Sequence, residues 1–147
     1  MSSVNGACLC GAVQIRASRL PAEISACHCE MCRRWSGGVQ MGLEVAEADL
    51  SMEGPVARFR SSSMSERLWC ATCGSSIGFR NLEGDDAGTI ELVPGLFDNA
   101  GGAVLTRVVY ADCAPEGYDI AGPDTGTVER VSKTQYEARF AHVEDGR

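Results

Sequence analysis

Apolar residues recur at every second position through much of the chain. Val13, Ile15 and Ala17 alternate with polar neighbours, the period of a half-buried strand. This strand leaves the turn Gly6-Ala7-Cys8-Leu9-Cys10-Gly11 and is broken by Arg19-Leu20-Pro21. Glu23 to Ala26 leads in a second strand that ends at Cys27, and Cys27 to Gly38 reads as a loop with one helical turn around Glu30 to Arg34. Val39 to Val45 alternates again, followed by a short helical turn over Glu47 to Asp49. Val56 to Arg60 and Ser65 to Trp69 flank Ser61-Ser62-Ser63, and the second of them runs into Cys70-Ala71-Thr72-Cys73-Gly74. Ile77 to Asn81 leaves that turn; Thr89 to Val93 and Thr106 to Ala111 follow, separated by a Gly-rich turn at Asn99 to Gly102. Beyond a Gly/Pro connector, Ala121 to Gly126, the spacing of Tyr136, Phe140 and Val143 suits one face of a helix over Ser132 to Val143.

Strands predominate, and each cysteine pair lies at a strand end or in a hairpin turn. The pattern predicts a mainly β domain of short antiparallel strands with at most one or two short helices. A length of 147 residues, 44% hydrophobic and 22% charged, predicts one globular domain spanning 1–147. Seventeen glycines agree with a turn-rich chain.

Charge narrows the choice of partners. A net charge of −7 argues against nucleic-acid binding, which calls for clustered Lys and Arg. No stretch approaches the roughly 20 apolar residues of a membrane span. Met1 to Val13 has neither a basic n-region nor an apolar h-region, so the expectation is a cytoplasmic chain, where thiols stay reduced. Eight cysteines in such a compartment point to metal before disulfides. The sequence sets no oligomeric state.

Zinc takes four thiolates at about 2.3 Å in a tetrahedron, which places the sulfurs about 3.7 Å apart. A Cys-x-x-Cys turn presents two sulfurs at that separation, and Cys70-Ala71-Thr72-Cys73-Gly74 has this form. One such pair is half a site. Cys8-Leu9-Cys10 is its natural complement, because residues i and i+2 of an extended chain share a face. Cys8, Cys10, Cys70 and Cys73 are therefore read as a closed structural zinc site.

Cys27-His28-Cys29-Glu30-Met31-Cys32-Arg33-Arg34 carries three more cysteines. Three local ligands leave a fourth position, which catalytic zinc sites give to water or substrate. The alternative is a second structural site closed by Cys113, His142 or a partner chain. His28 alternates with its flanking cysteines and points away from them, which suits a surface hydrogen-bonding role, or none, better than ligation. Cys113 stands alone, and a lone cysteine is more often a small core residue. Arg33 and Arg34 are candidates to hold a substrate carboxylate bidentately, or they simply offset thiolate charge. Trp35 and Trp69 are expected to pack beside the sites. Thiolate sets accept iron as well as zinc.

Gly-x-Cys-x-Cys-Gly, then Cys-His-Cys-x-x-Cys-Arg, then Cys-x-x-Cys-Gly-Ser resembles, in this order, the glutathione-dependent formaldehyde-activating enzyme family, which includes centromere protein V relatives. Gly37-Gly38, Gly54, Ser61-Ser62, the approach from Arg67 to Cys70 and Gly95-Leu96-Phe97-Asp98 also fall where that family has similar residues. The likeness runs from about Gly6 to Ile120. It implies antiparallel β-sheets like the zinc-binding fold of methionine-R-sulfoxide reductases. It also implies structural zinc at Cys8, Cys10, Cys70 and Cys73, and a second, catalytic-type zinc at Cys27, Cys29 and Cys32. The implied activity is that of a carbon-sulfur lyase acting on glutathione, or a similar thiol, and formaldehyde or a related aldehyde. The family's late acidic-Lys-Ala-Pro-Trp segment reads here Asp112-Cys113-Ala114-Pro115-Glu116-Gly117-Tyr118, without the Trp. Two other functions fit the cysteines taken alone: a non-catalytic two-zinc protein-interaction module, and a thiol redox protein using Cys70 and Cys73.

Overall fold

Strand pairing divides the chain between a small sheet and a large one. A computed structural model describes residues 3–123 and 128–139. Its elements are β1 (Val4–Ala7), β2 (Gln14–Ala17), β3 (Glu23–Cys27), α1 (Glu30–Ser36), β4 (Gln40–Ala46), β5 (Leu50–Glu53), β6 (Val56–Arg60), β7 (Ser65–Cys70), β8 (Ser76–Asn81), β9 (Thr89–Leu92), β10 (Val104–Val109), β11 (Glu129–Val131) and α2 (Lys133–Arg139). The small sheet runs β1-β2-β5 and the large one β11-β10-β3-β4-β9-β8-β7-β6.

The expected mainly β, antiparallel architecture is present. One departure lies at the end of the large sheet, where β10 runs parallel to both β3 and β11. Alternation reports which face is buried and says nothing of strand direction, so the pattern gave no warning of it. β1, β5 and β11 also went unforeseen; each has three or four residues and is defined by its partner more than by its own periodicity. β10 begins two residues earlier than expected and stops at Val109, where Tyr110 turns to a φ of 52°.

The alternating positions do face a common interior. Val13, just before β2, and Ile15 of β2 pack with Leu43, Val45, Leu68, Ile77, Ile90 and Leu92 of the large sheet, each at most 3% exposed. The opposite face of the large sheet is covered by α1 and α2 and carries the functional groups. The helical turn expected around Glu30 to Arg34 is a seven-residue helix, Glu30–Ser36. Its N-cap is Cys29, whose sulfur accepts from the Cys32 N–H, and Gly37 closes it at a φ of 85°. Glu30 in the first turn and Arg33 and Arg34 in the last complement the helix dipole. Of the predicted terminal helix, α2 carries Tyr136, whereas Phe140, His142 and Val143 lie outside the described residues.

Candidate metal centres and pocket

The sulfurs gather into two groups, and the described cysteines form no disulfide. Cys8, Cys10, Cys70 and Cys73 have their sulfurs within 4.8 Å of one another. Cys8 and Cys10 are 3.7 Å apart and Cys10 and Cys70 3.9 Å apart, close to the separation around a tetrahedral ion. Backbone N–H groups already point at sulfur, from Val13 to Cys8 at 3.2 Å and from Ala12 to Cys10 at 3.4 Å. A hydrogen bond with Ser75, at 3.1 Å, holds the Cys73 thiol down to about 5. The donor set and its spacing fit a metal ion. The Cys70–Cys73 pair of the redox reading is thus embedded in a four-sulfur set.

Gly54 explains the placement of the first pair. Its φ is 120°, and a Cβ there would overlap the Ala12 carbonyl oxygen. The chain after β5 therefore passes directly against the turn that presents Cys8 and Cys10.

The second group is Cys27, Cys29 and Cys32, again within 4.8 Å. Cys27 ends β3, while Cys29 and Cys32 belong to the cap and first turn of α1. No fourth ligand joins them among the described residues. Cys113 is exposed in the 3-10 turn after β10 and is not one of the group. His28 does point away from the sulfurs, yet it is 2% exposed and lies against the Tyr118 ring at 6.2 Å. The surface role expected for it is corrected: α1 and the segment after β10 close over its side of β3. Burial lowers its pKa.

Behind the triplet lies a charge that the cysteine motifs did not reveal. Arg67 of β7 is 1% exposed. Both of its terminal nitrogens lie 3.8 Å from the Cys32 sulfur, and one donates to Gln40 Oε1 at 2.9 Å. Its guanidinium stacks 4.8 Å above Phe79. Hydrogen bonds with Cys27 and then Cys32 hold the Cys29 thiol far below its ordinary range, and the Arg67 charge adds to this. An arginine three residues ahead of a Cys-x-x-Cys turn, inside an otherwise buried strand, is the signal that marks it in the sequence.

A cavity of about 180 Å³ opens beside the triplet. Its floor is one face of the large sheet, read straight from the register. Cys27 pairs with Gln40 and Val109, Ser25 with Gly42 and Arg107, and Glu44 with Glu91, which in turn pairs with Phe79. Met31, Met41 and Met64 add apolar, adaptable wall, and Tyr110 and Tyr136 close it from the β10 and α2 side. Tyr110 donates to Glu137 of α2 at 3.2 Å.

The pocket cation is Arg107, with its guanidinium 6.0 Å from the Tyr136 ring and Nε 3.3 Å from Glu129. Arg33 and Arg34 do not line this pocket. Arg33 borders an adjoining cleft with Lys133, Cys113 and His28, which shares Tyr110 with the pocket. Arg34 pairs with Glu30 at 2.9 Å on the outer face of α1. Trp35 and Trp69 pack on each other at 5.3 Å and so tie α1 to β7.

Comparison with known proteins agrees with this arrangement. A solved crystal structure of a Rhodobacter sphaeroides protein has a similar fold, with a TM-score of 0.54 at 20% identity over 86% of this chain and 99% of that one. An uncharacterised lyase of Schizosaccharomyces pombe is 30% identical over 136 residues, 91% of this chain and 98% of its own length. The family profile described as glutathione-dependent formaldehyde-activating enzyme matches residues 3–112. With seven cysteines in two metal-competent groups beneath that match, the chain belongs to the glutathione-dependent formaldehyde-activating enzyme family.

Proposed function

We propose that the protein is a zinc-dependent carbon-sulfur lyase. It joins glutathione, or a similar small thiol, to formaldehyde or a related aldehyde, and reverses that addition. The observation that carries this reading is a three-sulfur group facing a cavity, with no fourth protein ligand among the described residues. Cys8, Cys10, Cys70 and Cys73 hold a structural zinc; Cys27, Cys29 and Cys32 hold the second. When bound at the triplet, zinc supplies Lewis-acid chemistry that favours the thiolate form of a substrate thiol near neutrality.

The remaining work belongs to the chain. Arg67 offsets thiolate charge from the buried side, so the triplet is not a concentrated anion facing an incoming thiolate. A cavity of about 180 Å³ admits the thiol end and a small aldehyde, and its methionine and aromatic walls limit water there. Arg107 receives a substrate carboxylate at the rim, and Arg33 with Lys133 receives another in the adjoining cleft.

The test is to follow S-hydroxymethylglutathione formation by NMR with and without the zinc-loaded protein, across several small thiols. The expected result is acceleration that saturates with thiol. Rates equal to the spontaneous reaction for every thiol would refute the proposal. In that case a fourth Cys or His bound at the triplet, seen by X-ray absorption, would identify an interaction module instead.

A further inference from the structure

Across the cavity from the sulfurs, the wall carries a feature that thiol binding does not require. Glu44 and Glu91 stand directly opposite each other on β4 and β9, and like charges in a cross-strand pair cost stability. The Glu91 side chain folds over Gly42, where a Cβ would lie 2.9 Å from Glu91 Cβ and 3.0 Å from Oε1. Only a glycine leaves it that room. Gly42 pairs with Ser25, and Cys27 is the next residue of β3 on the same face, roughly 7 Å further along the strand. The carboxyl thus reaches over the floor of the cavity toward the sulfur end.

Its surroundings are mixed. Glu44 faces it from β4, Asp86 from the loop before β9, Arg67 from β7, Arg107 from β10 and Tyr136 from α2. Burial first, then Glu44 and Asp86, raise the Glu91 carboxyl to about 7, against the opposing pull of Arg67 and Arg107. Both protonation states are then populated near neutrality, as a proton carrier needs.

We propose that Glu91 is a catalytic residue that takes the proton of the substrate thiol and returns it to the oxygen of the aldehyde adduct. This rests on the thiol–aldehyde reading above. The thiol S–H proton passes to the Glu91 carboxylate. The sulfur electron pair forms the C–S bond to the carbonyl carbon, and the C=O π pair moves onto oxygen. The Glu91 carboxylic acid then protonates that oxygen. Thiol and aldehyde become the S-hydroxymethyl adduct, the carboxylate is regenerated, and no oxidant or other co-reactant is consumed. Cleavage runs the same steps backwards.

The experiment measures proton release when glutathione binds the zinc-loaded protein without aldehyde, in dilute buffer with a pH indicator near pH 7.5. Wild type is expected to release clearly less than one proton per bound glutathione, because the bound thiolate raises the Glu91 carboxyl further and the carboxyl keeps the proton. Glu91→Gln is expected to release about one. The same variant should still bind glutathione by calorimetry but form the adduct on the order of 10²-fold more slowly, and Glu91→Asp should recover part of that loss. Equal proton release and equal rates in wild type and Glu91→Gln would overturn the role of Glu91 and leave the lyase reading standing. No glutathione binding and no adduct acceleration in wild type would overturn both. If Glu91→Gln does not fold, Glu44→Gln replaces it: removing that charge should move the acid limb of the rate–pH profile to lower pH, and an unmoved limb overturns the proposal.

Discussion

Replacing Arg67 by methionine isolates the contribution of a buried counter-charge to a thiolate site. One divalent ion on three thiolates leaves a net charge of about −1, and Arg67 is the described cation that meets it from the protein side, 3.8 Å from Cys32 by two nitrogens and 1% exposed. At that burial no solvent screening reduces the interaction. Arg67→Met leaves the negative site uncompensated, which for a buried pair costs about 3–5 kcal/mol. It also leaves the Gln40 oxygen, now 2.9 Å from a guanidinium nitrogen, without that donor. Most of the cost falls on the metal-loaded triplet. At 1.4 kcal/mol per decade, a loss of about 3 kcal/mol weakens the second ion on the order of 10²-fold. Arg67→Lys keeps the charge but cannot span Gln40 and Cys32 with one nitrogen, nor stack on Phe79 as a plane, and should lose about 1–2 kcal/mol. The assay is competition with a chromogenic chelator, which resolves a tight and a weak ion per chain. A methionine variant that holds its second ion within threefold of wild type would refute the electrostatic account.

Three further outcomes are expected. Cys70→Ser, at a fully buried ligand, should abolish cooperative unfolding in circular dichroism, since structural zinc supplies on the order of 10 kcal/mol, whereas Cys29→Ser should keep the melting transition and lose activity; equal destabilisation would contradict the division of the two sites. Glu91 is raised from 4.5 to about 7 on folding, so its contribution is fully present below pH 4.5 and is lost as pH rises through 7; chemical denaturation at pH 5 and pH 8 should show Glu91→Gln gaining about 1–3 kcal/mol on wild type between them. Gly54→Ala should destabilise by at least about 2 kcal/mol, because a Cβ there meets the Ala12 carbonyl at a left-handed φ, and an unchanged denaturation midpoint would show that the turn yields without cost.

Motif spacing is enough to sort the seven cysteines into their two groups, because local chain geometry dictates which sulfurs share a side: i and i+2 in β-like backbone, i and i+3 across a turn. The buried faces of β2, β3, β4 and β9 were legible for the same reason. The rest depended on distant pairing. Glu91 joins the pocket only because β9 lies beside β4 in a register that opposes it to Glu44. Arg107 entered the pocket because β10 runs parallel to β3, a direction that periodicity does not encode. A helix turns successive side chains by about 100°, so Arg33 and Arg34, next to Cys32 in sequence, do not line the pocket, and Arg33 faces the adjoining cleft instead. Arg67, thirty-five residues from Cys32 in sequence, arrives there by tertiary structure alone.

One strand joins the two cysteine groups as a short ruler. β7 places Arg67 at the triplet and, three residues on, Cys70 in the quartet, while Trp69 between them grips α1 through Trp35. An extended segment of three residues spans only about 10 Å and scarcely stretches. A displacement of β7 at one cysteine group is therefore carried to the other, and by thermodynamic reciprocity an ion held at either would favour an ion at the other.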